Sequence, residues 1–282
     1  MMSNITYNFN TNDCSGRTFI SDMIVGGCMM MLSTLCAVAY SIILMTIWRD
    51  DDLMALISYR LMFALGVVDV LQCVPHFITG VFTIFQSIFH RFLAKGISIL
   101  GTPCYIGYCI ITIILTLNRF IQLIIPRLTY LNINITFKAL IGIVVVFWCY
   151  FAFFLASPWA TMVYVPQCYS WKYDFSLPLS SVIQKSALTV ELICIITVVI
   201  CYSCVIIDIY VKRKHLSSTI GNQSEIRIFV QASVIATYCA ILNVLWHISQ
   251  EIEANLWILM TLNFMWLLSS GVYPVVYFIS NR

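Results

Sequence analysis

Charge is what this sequence has least of. Only 10% of its 282 residues are Asp, Glu, Lys or Arg, while 61% are hydrophobic. A soluble domain carries about 25% charged residues, so this chain lacks the polar surface to stay in water. That shortage excludes disorder, nucleic-acid binding and a secreted disulfide scaffold. Residues 1–22 hold no basic run ahead of an apolar core, which argues against a cleavable signal peptide. No lysine falls between 255 and 279, so the last apolar stretch cannot anchor a retinal Schiff base. There is no internal repeat of the kind that builds most secondary transporters. Asp69 has no second acid at its depth, as an intramembrane enzyme would need. No Cys/His spacing suggests zinc, and neither a metal nor a cofactor is expected.

What remains is apolar length. With mean hydropathy at +0.93, seven segments emerge at 23–48, 59–82, 95–119, 139–159, 186–210, 225–248 and 255–279. Each can cross a hydrocarbon core of about 30 Å at 1.5 Å per residue. The longest connection, 160–185, contains Pro166, Pro178 and an aromatic-rich stretch at Tyr169–Tyr173, and reads as a loop. Residues 1–22 form a polar tail, 23–279 one helical bundle, and 280–282 a short terminal tail with no eighth amphipathic helix.

Orientation follows from basic residues in the short connections. With the N-terminus outside, Arg49, Arg60, Arg119, Arg127, Lys138, Lys212, Arg213, Lys214, Arg227 and Arg282 lie inside; Arg17, Arg91, Lys95, Lys172 and Lys185 lie outside. The bias favours N-out and C-in. It also counts against an inverted seven-helix channel. The acid triplet Asp50–Asp52 falls on the inner side, but acids weigh little in this rule. The net charge of +3 is too small to imply an anionic partner, and the juxtamembrane run Lys212–His215 reads first as attraction to anionic lipid.

Several short motifs occur in order along the chain. The second segment carries Tyr59-Arg60-x-Met62 and Leu65-Gly66-x-x-Asp69, and the third ends in Leu117-Asn118-Arg119. The sixth opens on Glu225-x-x-Ile228-Phe229-x-Gln231, and the seventh holds Gly271-x-x-Pro274-x-x-Tyr277 with Asn281. Together with Tyr169-x-Trp171 in the second outer connection, they resemble the nematode serpentine chemoreceptors of class T, with class X a close alternative. The resemblance implies an all-α, seven-transmembrane bundle of rhodopsin-like G-protein-coupled architecture. It further implies a non-enzymatic chemoreceptor at the plasma membrane, in sensory cilia, with a small-molecule ligand outside and a heterotrimeric G protein inside. A multi-span transporter or a ligand-gated protein of another class is the alternative.

The chain departs from the wider rhodopsin-like pattern in three places. Asn118 stands where an acid normally precedes the arginine, Tyr273 replaces an asparagine before Pro274, and the sixth segment has Trp246 but no proline.

By resemblance, Asp69, Arg119, Glu225, Pro274 and Tyr277 carry activation. Asp69 lies near mid-membrane, where a carboxylate costs roughly 2.5–3.5 kcal/mol on insertion scales and so should face the interior. It is either a polar hub that rearranges on activation or a carboxyl that fixes packing. Arg119 is either the contact for the G protein or an ordinary lipid anchor. Glu225 is its resting partner or a first-turn acid that complements the helix dipole. Pro274 bends its helix, movably or not, and places Tyr277 one turn further in.

Candidate pocket residues are the polar groups of the outer half: Gln72, His76, Tyr105, Tyr108, Glu191, His247 and Asn263. Glu191 and His247 are each weighed as structural or interfacial against ligand-contacting. Of 12 cysteines, Cys14 and Cys168 alone fall outside a segment on the oxidising side and are a disulfide candidate. Cys104 lies too deep for the usual bridge to the top of the third helix. Among three sequons, at Asn4, Asn134 and Asn222, only Asn4 is outside and expected to carry glycan.

Overall fold

A computed structural model describes residues 14, 16–124, 133–215, 223–252 and 255–280; the side chains at 119, 122–123, 133–134, 209–215, 223–233, 235–236, 251 and 272–280 lie outside that description. Helix α1 (Phe19–Arg49) begins at a capping box, where Thr18 accepts from the Ser21 amide and Ser21 accepts from the Thr18 amide. Two donors that the first turn leaves unpaired are satisfied there. That cap starts α1 within the residues assigned to the tail, ahead of the apolar segment at 23.

The acid triplet finds its reason next. The Asp50 carboxylate accepts from the amides of Asp52 and Leu53, capping the short helix α2 (Asp51–Ala55), and Asp51 and Asp52 occupy its first turn. Negative charge at a helix N-terminus is favourable, so the three acids shape the connection without affecting orientation.

The other long helices are α3 (Ile57–Phe85), α4 (Arg91–Ile124), α5 (Ile133–Ala156), α6 (Ser180–His215), α7 (Gln223–Glu251) and α8 (Leu256–Ser280). Five of the helices are long and apolar enough to cross a membrane, judged on the described residues. Most run beyond the apolar segments at one end or both. In α6, Lys212–His215 extend the helix as polar turns that hydropathy does not detect.

Helix α4 is the central post. In its apolar window 72% of residues are buried, against 22% in α5, and it packs on α3, α5 and α6. The ring closes where α8 packs on α1 and α7. At the outer end α1 and α3 touch through glycines. A Cβ on Gly26 would lie 2.6 Å from the Gly80 carbonyl oxygen, and one on Gly80 2.7 Å from that of Gly26. Only glycine permits this approach.

The connection read as a loop is a β-hairpin. Strand β1 (Met162–Val165) pairs antiparallel with β2 (Ser170–Tyr173), setting Met162 against Tyr173 and Tyr164 against Trp171. Between them Pro166–Cys168 makes a single 3-10 turn, and Tyr169 adopts a left-handed φ of 50°. Every residue of β1 is buried, so the strand presents apolar side chains on both faces.

Candidate functional site

Beneath the hairpin the helices leave a cavity of about 30 Å³. Its walls are Thr102 and Tyr105 of α4, Glu191 of α6, Leu242, Asn243 and Trp246 of α7, Trp266 of α8, and Met162 and Tyr173 of the hairpin. That volume holds one or two waters. Its polar groups converge: Glu191 Oε2 lies 2.8 Å from His247 Nε2, and the Tyr105 hydroxyl donates to Asn243 Oδ1. Both members of the Glu191–His247 pair are buried, and so is the Trp266 indole nitrogen, which has no hydrogen-bond partner among the described residues. Aromatic rings frame the space. The Trp266 ring meets Tyr105 edge-on at 5.9 Å and His76 at 5.1 Å, and Tyr173 meets Trp246 at 6.1 Å. Edge-to-face contacts at such distances are favourable and fix ring orientation.

Of the seven pocket candidates, Tyr105 and Glu191 line this cavity. His247 stands behind Glu191, while His76 supports Trp266. Tyr108 lies a turn deeper, stacked on Tyr105 at 6.1 Å with its hydroxyl 3.3 Å from the Cys239 sulfur. Gln72 is buried and its Oε1 has no partner among the described residues. Asn263 serves the hairpin instead: its amide nitrogen donates to the Tyr169 carbonyl at 3.0 Å. Sequence reasoning did not select Asn243 or Trp266, and noted Trp246 only for its lack of a neighbouring proline. The spacing Asn243, Trp246, His247 puts all three on one helical face, which was the available signal.

The hairpin is tied down on several sides. Cys14 and Cys168 form a disulfide across 154 positions of sequence. The Tyr169 hydroxyl donates to the Asp22 carboxylate of α1, and that carboxylate also faces Arg17 at 3.4 Å. The Tyr164 hydroxyl shares a hydrogen bond with Thr83 of α3 at 2.7 Å, the Trp171 indole donates to Thr79 at 3.2 Å, and Gln250 of α7 donates to the Trp171 carbonyl. Burial pushes the Tyr169 phenol above its ordinary value, and the Asp22 carboxylate it serves adds to the shift. The phenol therefore stays protonated and donating at neutral pH.

Deeper in the bundle, Asp69 is fully buried and accepts from the Tyr40 hydroxyl of α1, while its other oxygen has no partner among the described residues. Asn118, in the position of the missing acid, donates to Ser58 of α3 at 2.8 Å. This bond ties α4 to α3 without charge. Arg119, Glu225, Pro274 and Tyr277 all sit on helices, but their side chains lie outside the described part, as does the whole of Asn4.

A family model of serpentine-type seven-transmembrane G-protein-coupled chemoreceptors, Srt, matches residues 1–282. The chain belongs to the Srt family. The Srt bundle is also similar in fold to the crystal structure of squid rhodopsin, at a TM-score of 0.77 over 94% of this chain and 83% of that one. Sequence identity there is 11%, so the likeness concerns architecture alone. No curated protein matches the Srt sequence. Family and fold together make this a multi-pass membrane protein of receptor type.

Proposed function

We propose that this Srt chain is a chemosensory receptor that binds a small molecule in the outer half of the bundle and activates a heterotrimeric G protein at the plasma membrane of a sensory neuron, including its cilia. The observation that carries the reading is the small cavity under the hairpin, where Glu191, Tyr105 and Asn243 converge within aromatic walls. Few polar groups set in apolar walls is what orients a small ligand. At about 30 Å³ the space is far below the roughly 300 Å³ that a ligand pocket needs, so binding must enlarge it by turning Trp246 or Trp266. Both rings lie on the helices α7 and α8, which carry Glu225 and Pro274 towards the inner end. Turning them links ligand arrival to those helices. Arg119 then serves as the contact for the G protein, with Glu225 as its resting partner.

Ligand-stimulated nucleotide exchange in cells with verified surface expression is the test. Arg119→Ala removes a charge capable of several directed hydrogen bonds. Surface delivery should hold while exchange falls strongly. Glu225→Ala should raise basal exchange roughly 5- to 30-fold if the pair favours the resting state by 1–2 kcal/mol. Normal exchange by Arg119→Ala at equal surface levels would refute the coupling role.

A further inference from the structure

The cavity is shut on its outer side. Met162, Tyr164 and Tyr173 of the hairpin are each at most 2% exposed, and the hairpin is held to α1, α3, α7 and α8 by the bonds described above. Beside the cavity lies a larger hollow of about 310 Å³, set in the wall where α6 and α7 meet over α4. Tyr108 and Thr112 form its floor, with Cys194 and Cys239 on its flanks. Its rim is formed by Val199, Ile206 and Ile241, side chains 50–56% exposed that face lipid in a membrane-spanning bundle. Asn243 borders both spaces, and Tyr105 holds it from the cavity side. Among the described residues, no Asp, Glu, Lys or Arg lines the hollow.

We propose that ligands reach the cavity from within the bilayer, through this opening between α6 and α7, and that they are neutral lipophilic molecules bearing a single hydrogen-bonding group. The inference rests on the receptor reading above and narrows its ligand class. Each methylene adds about 0.8 kcal/mol to partition into lipid, so an apolar body concentrates at the rim. A charged cue gains nothing there and meets no counter-charge among the described residues that line the hollow. At the boundary Asn243 can both donate and accept, so a ligand hydroxyl can take over the bond that Tyr105 now donates to its Oδ1, and a ligand carbonyl can accept from its amide nitrogen. Entry from water would instead require lifting a strand pair that is disulfide-bonded on one side and hydrogen-bonded to four helices.

The route is tested on the full-length protein in lipid nanodiscs with two photoreactive probes. One is an uncharged alkyl diazirine ketone that dissolves in lipid, and the other is a sulfonated diazirine that stays in water. After illumination, adducts are located by mass spectrometry. The ketone should mark Asn243 and Tyr105, and the sulfonate should not. Ala240→Trp fills the opening from the α7 side and should lose the Tyr105 adducts while lipid-facing adducts elsewhere persist. Val199→Trp, from the α6 side, should do the same, so that a folding defect in one variant does not decide the matter. Undiminished Tyr105 labelling in both variants, or labelling of Tyr105 by the sulfonate at the same rate, overturns the route. Nucleotide exchange plays no part in this readout, so a protein that fails to signal refutes the receptor reading and leaves the entry route to be judged by its adducts.

Discussion

Asp69 and Glu191 are both carboxylates buried among membrane-spanning helices, yet they are held in opposite ways. Asp69 receives one neutral hydroxyl from Tyr40, whereas Glu191 is paired with the His247 imidazole and lines the cavity beneath the hairpin. By sequence each is an acid inside an apolar segment, Asp69 near mid-membrane and Glu191 towards the outer interface, where the cost is softer. The difference lies in what surrounds them. Space next to a partnered acid allows a ligand to compete for it; a fully buried acid held by one hydroxyl is suited to packing or to rearrangement of the helices themselves.

The largest effect expected concerns the partner of Glu191. Replacing His247 with Ala strands a buried carboxylate, which typically costs about 3–5 kcal/mol, and thermal unfolding in detergent together with surface expression should report it. An unchanged melting temperature would erase the distinction drawn above. Tyr40→Phe removes the hydroxyl that serves Asp69 and should cost less, about 1–3 kcal/mol, with ligand affinity unaltered. A change in affinity without loss of stability would move Asp69 into the binding machinery.

Next in size is Tyr169→Phe. It deletes one hydrogen bond to Asp22 and should cost about 1 kcal/mol, read as faster amide exchange across residues 162–173. The pH dependence has a definite sign. Since the folded phenol binds its proton more tightly than the free one, the contribution of this latch is fully present below about pH 10 and is lost as pH rises beyond that. Acceleration of exchange on mild acidification would contradict the assignment. Smallest is Glu191→Gln, an isosteric change whose amide oxygen can still accept from His247. Because the bond to the imidazole is kept in a weaker, neutral form, it should cost about 0.5 kcal/mol in stability, the low end of the net worth of one hydrogen bond, while weakening the response to ligand. Equal response would separate the carboxylate from recognition.

The seven spans were legible because each needs an apolar run as long as the bilayer is thick. Their ends were not, because turns beyond the lipid are polar and are set by caps such as Thr18 and Ser21. The hairpin escaped notice for a physical reason. With both faces covered, Met162–Val165 shows none of the alternation that marks a half-buried strand. Glu191 and His247 could each be picked out as expensive, but their pairing depends on which faces of α6 and α7 meet, and a single sequence does not contain that. Asn243 is the instructive omission. It is uncharged and surrounded by apolar neighbours, so nothing about it alone indicates that it borders two cavities.

The glycine contact between α1 and α3 has a mechanical consequence. Two helices whose backbones touch cannot roll against each other, because any rotation drives one carbonyl into the next; packing this dense transmits displacement and does not absorb it. At this level the two helices therefore turn together. Further in, a hollow of about 590 Å³ opens along the same two helices, lined by Ser33, Ala37 and Val70 among others, so the glycine contact is a fixed pivot and the room to move lies below it.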